Sequence, residues 1–260
     1  ASDSPMTDEQ LAKSKGGVLH FPTVLGAVVP VYNVKGVAGE LNFTPEALAG
    51  IFLGKITRWN DAELVKANPK AALPAAPIVV VHRSDGSGTT FVWTDYLSKI
   101  SPEWKSRVGA NTSVSWPVGL GAKGNEGVAG LVRQTPNSIG YVELVYALQN
   151  RIPYGRVRNA AGVFVRPELK SVTAAAAGIA MPEDFRISIT NPPGKDAYPI
   201  ASFTWLLIPA KIADARKREA ITAFLRWMLT EGQKLAEPLG YAPLPKSVID
   251  AELKAIAKIQ

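Results

Sequence analysis

The sequence predicts an α/β protein built as two lobes. Three observations carry that reading. Apolar, β-branched runs recur at Val18–Asn33, Ile78–Val81, Ser138–Val142 and Ala201–Ile208. Segments of helical period with capping residues lie between them. Two Pro-rich, aperiodic stretches, near Lys70–Pro77 and Asn191–Pro199, bracket the middle of the chain. Strands alternating with helices read as α/β. A middle segment between two connectors reads as one lobe inserted into another: lobe I over 1–76 and 200–260, lobe II over 77–199. Two lobes joined by two crossings form a hinged cleft, where small ligands bind.

The elements follow from local chemistry. Thr7-Asp8-Glu9-Gln10 has capping-box form and opens a short helix. Val18–Asn33 reads as one or two buried strands, cut by Pro22 and Pro30. Thr44-Pro45-Glu46 is a helix start, with a cap, a proline at the first position and an acid in the first turn. That helix carries Leu48, Ile51 and Phe52 on one face and stops at Gly54; Asn60-Asp61 caps another through Val65. Ile78–Val81 has the continuous apolar character of a parallel strand. A Gly/Ser/Thr turn, Ser84–Thr90, follows it and leads into a helix through Phe91, Trp93, Tyr96 and Leu97. Gly124-Asn125-Glu126-Gly127 opens a helix to Gln134, Ser138–Val142 is a strand, and Glu143–Gln149 is a short helix. Ala201–Ile208 is a buried strand. Ala213–Leu229 is a helix with Ile221, Phe224, Leu225 and Met228 inward and Arg216, Lys217 and Arg218 outward. Val248–Ile259 is a final amphipathic helix. Trp93, Trp205 and Trp227 are expected in the core.

Composition narrows the function. The 260 residues hold no cysteine, which excludes disulfides, thiolate metal sites and cysteine nucleophiles. Two histidines leave no room for a histidine-rich metal centre and weigh against a His-based triad. No uncharged apolar run reaches the length of a membrane span, and Ala1–Met6 has neither the basic nor the apolar region of a signal peptide. The net charge of +7 suits nucleic acid, an anionic membrane or a small anion, and equally a solvated basic surface.

The most informative stretch is His82-Arg83-Ser84-Asp85-Gly86-Ser87-Gly88-Thr89-Thr90, between a buried strand and a helix. The first N–H groups of a helix lack intrahelical partners, and the helix dipole adds positive charge there. Ser87, Thr89 and Thr90 add hydroxyl donors, Gly86 and Gly88 let the backbone approach closely, and Arg83 supplies a fork of donors. The combination predicts an anion site. An ordinary capped turn with a surface Arg–Asp pair accounts for the same residues without a ligand. Asp85 would repel an anion unless it pairs with Arg83 or accepts a proton carried by the ligand. No Lys follows the glycines as in a Walker loop, and no Gly stands two residues before Ser87 as in a nucleophile elbow.

Arg-Ser-Asp-Gly-Ser-Gly-Thr-Thr at 83–90 resembles the anion loop of the phosphate-binding proteins of bacterial phosphate ABC transporters. Ala1–Thr7 resembles that family's G-A-S-D-x-P-M turn, and Gly17–Pro22 its next strand. Ile51–Asp61 is similar to its helix–turn, and Gly124–Val128 and Ser138–Val142 to its middle domain, in family order across nearly the whole chain. The resemblance implies a type II periplasmic binding protein-like fold, with two lobes, a hinge and an interlobe cleft. It implies Arg83, Ser87, Gly88 and Thr89 as phosphate donors, Asp85 as the residue orienting Arg83, and Asp3 as acceptor of the phosphate proton. Sulfate, having no proton to offer, would leave that acceptor repelled and unpaired. Members of the family begin with a further strand, an A-T-F-P loop, a helix and a G-S-G loop. The resemblance therefore also implies a discontinuous and incomplete first lobe with exposed sheet edges, in a fragment, a truncated variant or one part of a two-chain protein. Weaker phosphate binding than in a full-length relative is expected with it.

The implied function is non-enzymatic: capture of inorganic phosphate, as HPO4 or H2PO4, and delivery to a membrane ABC permease. No catalytic residue, metal or cofactor is expected, nor a nucleic-acid partner. The implied state is a monomer, unless another chain supplies the first segment, and the implied location is periplasmic or extracellular, free or lipid-anchored. Two other readings are a binder of another oxyanion, molybdate- or sulfate-like, and a phosphohydrolase using Ser87 or Thr89 near Asp3. Gly124–Gly127 reads as a packing element more readily than as a cleft wall. His20 reads as a hydrogen-bonded core or cleft-edge residue and His82 as packing at the hinge. Arg151, Arg156, Arg158, Arg166 and Lys170, against Glu168, form a basic stretch that is a solvated hairpin or an electrostatic lure.

Overall fold

The computed structural model describes residues 2–37, 39–177 and 179–260. Its elements are α1 (Asp8–Lys13), β1 (Val18–Asn33), β2 (Asn42–Phe43), α2 (Pro45–Phe52), α3 (Ala62–Ala67), β3 (Val79–Arg83), α4 (Gly88–Ile100), α5 (Pro102–Arg107), β4 (Leu120–Ala122), α6 (Gly124–Gln134), β5 (Ser138–Glu143), α7 (Leu144–Gln149), β6 (Arg156–Arg158), β7 (Phe164–Val165), α8 (Leu169–Ala176), β8 (Ala201–Pro209), α9 (Ala215–Leu229) and α10 (Lys246–Ala255), with short 3-10 turns after α9 and α10. The caps read from sequence form: Thr7 and Gln10 close a capping box, and Thr44, Asp61 and Ser87 accept from the first turns of α2, α3 and α4.

One five-stranded sheet, ordered β4-β3-β5-β1-β8, runs through the molecule. β3 pairs in parallel with β4 and β5, while β1 is antiparallel to β5 and to β8. A small sheet, β2-β6-β7, stands apart. Trp59, Trp93, Trp104 and Trp205 are fully buried in the core. No helix among the described residues is long and apolar enough to cross a membrane.

β1 is a single strand of 16 residues, not two. Its prolines sit where a ladder tolerates them. The register shifts between Pro22 and Val24, so Pro22 stands at a bulge. The N–H groups of Val28 and Tyr32 donate away from β5, to Ile200 and Pro153. Pro30 lies between them in the alternation, so its missing N–H costs the β5 ladder nothing.

The pairing of β1 also moves the division between lobes. Residues 18–27 pair with β8, and residues 28–33 pair with β5. β2 pairs with β6, and α2 packs on α4. Residues 28–67 thus pack with 79–176, in the half where Lys70–Pro77 also lies, and not with the chain's two ends. We place lobe I at 2–27 and 201–260, with the crossings at Ala27/Val28 and Ile200/Ala201, where Ala27 is the register partner of Ala201. The Lys70–Pro77 stretch is a local connector: Trp59 N–H donates to Ala76 O and Ile78 N–H to Thr57 O. A proline-rich composition marks irregular backbone, whereas a crossing inside a strand has no local sign.

Three smaller expectations also change. Phe224 and Trp227 are exposed, because the buried stripe of α9 is Leu225, Met228 and Leu229, and the two rings pack on each other at its flank, 5.9 Å apart. His82, expected at the hinge, stacks on Trp116 at 4.8 Å. The basic hairpin β6–β7 is partly neutralised, with Arg156 and Arg166 on Glu40 and Arg158 on Glu46. His20 is buried and its Nε2 accepts from Met6 N–H at 3.0 Å; burial lowers its pKa, so the ring is neutral.

Candidate functional site

The loop between β3 and α4 is fixed from within. Arg83 Nε and Nη2 donate to the two oxygens of Asp85 at 2.8 and 2.7 Å. This forked grip raises the arginine further and holds the Asp85 carboxyl well below the usual carboxylate range. Asp85 Oδ1 also accepts from Gly124 N–H at 3.2 Å. Of the five N–H donors of a guanidinium, Asp85 takes two, so an edge remains for another anion.

The helix start is equally ordered and leaves its donors unspent. Ser87 Oγ accepts from Thr90 N–H at 3.2 Å, and Thr89 Oγ1 accepts from Asn125 Nδ2 at 3.2 Å. Both hydroxyl hydrogens are therefore free to donate. The N–H groups of Gly88 and Thr89 have no acceptor among the described residues. Tyr141 ties the two parts together: its hydroxyl accepts from Arg83 N–H and is 2.7 Å from Thr90 Oγ1.

Asp3 comes to the same place from the chain's first turn. A Cβ built on Gly88 would stand 2.6 Å from Asp3 Cβ and 3.1 Å from Asp3 Cα, so only glycine fits there. Thr204 Oγ1 donates to Asp3 Oδ1 at 2.7 Å, and Ser202 Oγ to Asp3 O at 3.2 Å. Asp3, Gly26, Thr89, Glu143, Ser202 and Thr204 help line a cavity of about 10 Å³, room for one water molecule. Of the six residues singled out in the sequence, Arg83 and Asp85 form the fork, Ser87, Gly88 and Thr89 begin α4, and Asp3 packs against Gly88.

The PBP superfamily domain matches residues 1–231. A phosphate-binding protein PstS from Xylella fastidiosa is 48% identical over 252 residues, covering 96% of this chain and 69% of its own length. The chain belongs to this family. PstS from Pasteurella multocida is 45% identical over 96% of the chain and 73% of its own length. A solved high-affinity periplasmic phosphate-binding protein, bound with phosphate at pH 8.5, superposes with a TM-score of 0.76 over 98% of this chain and 77% of that one, at 21% identity. That likeness gives the type II binding-protein fold expected from the sequence.

This PstS-family chain also brings to the site residues that the sequence did not mark. The Gly124–Gly127 turn, expected to pack, faces the loop: Gly124 holds Asp85, and Asn125 bridges Thr89 and the backbone N–H of Glu143. Glu143 itself lines the same cavity as Asp3 and lies over Gly26 beside the Tyr241 ring; burial, then the charge of Asp3, pushes its carboxyl up to about 7. The signal that could have found Glu143 is an acid ending a wholly apolar strand, Ser138–Val142.

Proposed function

We propose that the chain binds inorganic phosphate at the start of α4 and passes it to a membrane ABC permease. The observation that carries this is the set of unspent donors on one loop and helix start, with Asp3 packed against it. Arg83 keeps a free edge, the Ser87 and Thr89 hydroxyls and two backbone N–H groups begin α4, and Asp3 stands against Gly88 among them. An oxyanion satisfies the donors. A carboxylate beside it is repulsive unless the anion brings a proton. Phosphate near neutral pH carries that proton, and sulfate and molybdate do not.

The cavity between Asp3 and Thr89 is smaller than the anion. Entry therefore parts the lobes about the paired crossings of β1 and β8, and closure re-forms contacts from both sides. The protein acts by binding alone, as a monomer, in the periplasm or extracellular space. Among the described residues the hydroxyls of Ser87 and Thr89 meet a backbone N–H and an amide rather than a base.

Titration calorimetry tests the reading. Phosphate should bind with one site per chain, and sulfate at equal concentration should bind at least about a hundredfold more weakly, the discrimination expected when a carboxylate meets an anion with no proton to share. Equal affinity for the two anions would overturn it.

A further inference from the structure

Glu143 closes β5 opposite Val28, at the point where β1 passes from β8 to β5. Its carboxyl leans across a residue with no side chain: a Cβ on Gly26 would stand 2.9 Å from Glu143 Oε1. It lines the same small cavity as Asp3, Thr89, Ser202 and Thr204. Its backbone is tied to the start of α4 through Asn125, whose amide takes Glu143 N–H on one side and donates to Thr89 on the other.

The groups around its carboxyl come from several elements. Asp3 lines the cavity with it from the first turn, and the Tyr241 ring, in the loop before α10, lies beside it over Gly26. Tyr146 on α7 is within its field, with Glu126 of α6 and Arg83 of β3 beyond. Arg83, the cation of the site, is already committed to Asp85. Two carboxyls on one small cavity do not both ionise readily. Thr204 Oγ1 donates to Asp3 on the other side. Burial, then the charge of Asp3, favours the protonated form of Glu143.

We propose that Glu143 is a specificity-determining residue of the anion site: protonated, it donates a hydrogen bond into the cavity beside Asp3 and admits the anion; ionised, it repels it. This rests on the phosphate reading. Asp3 and Glu143 then form an acceptor and a donor side by side. They match the P–OH and P–O⁻ edge of hydrogen phosphate, with the phosphate proton going to Asp3 and the Glu143 proton to a phosphate oxygen.

The test compares phosphate affinity of the unmodified chain and Glu143→Gln by calorimetry from pH 5.5 to 8.5. Phosphate's own titration is common to both and cancels in the ratio. The glutamine keeps a neutral donor at every pH. The two affinities should agree within about twofold at pH 5.5, and the unmodified chain should be about tenfold the weaker at pH 8.5, since each pH unit above the midpoint is worth up to tenfold. At pH 8 the unmodified chain should also take up more protons per phosphate bound than Glu143→Gln, read from buffers of different ionisation enthalpy. Parallel affinity profiles with equal proton uptake would overturn the inference and leave the phosphate reading standing. Absence of phosphate binding to the unmodified chain at every pH would overturn both. Tyr241→Phe removes the neighbouring hydroxyl, whose influence favours the ionised form of Glu143. It should move the unmodified chain's midpoint to higher pH, and this carries the test should Glu143→Gln fail to fold. An unmoved midpoint counts against the inference.

Discussion

The wall of the site built by β3 and α4 and the wall built by the first turn, β5 and β8 handle charge in opposite ways. On the first, a cation and an anion are locked together: the Arg83 fork closes on Asp85, and Asp85 is held again by Gly124. Both ionised forms are favoured. On the second, two carboxyls line one cavity, Asp3 with the Thr204 hydroxyl on it, and Glu143 is driven toward its neutral form by burial and by Asp3. A preorganised donor wall gives affinity, because the groups need no rearrangement when the anion arrives. A poised acceptor wall gives choice, because its fit depends on what protons the ligand brings.

The sharpest way to break this contrast is Arg83→Ala. It removes the donor wall's charge and leaves Asp85 facing the anion unpaired. Phosphate affinity should fall at least about a hundredfold, the scale of losing one partner of a hydrogen-bonded charge pair. An unchanged affinity in calorimetry would remove the site from the start of α4. Asp3→Asn strikes the other wall. An amide accepts less well but can donate, so phosphate should weaken by about tenfold while sulfate tightens, and their ratio should shrink. Competition between the two anions reads this directly. A ratio that stayed fixed would deny Asp3 its role.

The smallest effect is expected from Asp85→Asn, which leaves Arg83 in place but loosens its fork. Affinity should drop by a few-fold, and stability by about 1 kcal/mol, since the pair is part-exposed. The pH dependence has a definite sign. The folded-state pKa of Asp85 is depressed, so its contribution is present above the ordinary aspartate value of about 4 and is lost as pH falls through the folded value. The melting-temperature gap between the two proteins should therefore be constant from pH 5 to 8 and close below about pH 4. A gap that widened in acid would mean that the pair does not stabilise the fold.

Much of the donor wall was legible in the chain because its chemistry is contiguous. Arg83, Asp85, Ser87, Gly88 and Thr89 lie within one strand–turn–helix, and cap, glycine and hydroxyl each have a local meaning. Pairing with Arg83 was one of two uses open to Asp85, and the fork geometry selects it. The acceptor wall is assembled from distant pieces. Glu143 reads as the first residue of a helix. Only the β1–β5 register sets it at the Ala27/Val28 crossing, close over Gly26, and only the bridge between Leu25 and Ala242 delivers Tyr241. The crossing itself was hidden for the same reason: Ala27 and Val28 are ordinary strand residues whose partners change. In α9 the apolar pattern was wide enough to fit two orientations, and burial of Leu229 turned Phe224 outward.

The two crossings of the chain lie side by side as antiparallel neighbours, with Ala27 opposite Ala201 and Val28 N–H on Ile200 O. Mechanically that is a leaf spring two strands wide. Such a ribbon flexes readily out of its own plane and resists stretching and in-plane shear, because those would break the hydrogen bonds that join it. The halves of the molecule it connects therefore share one compliant direction, the one in which the site's walls would part for an anion to enter.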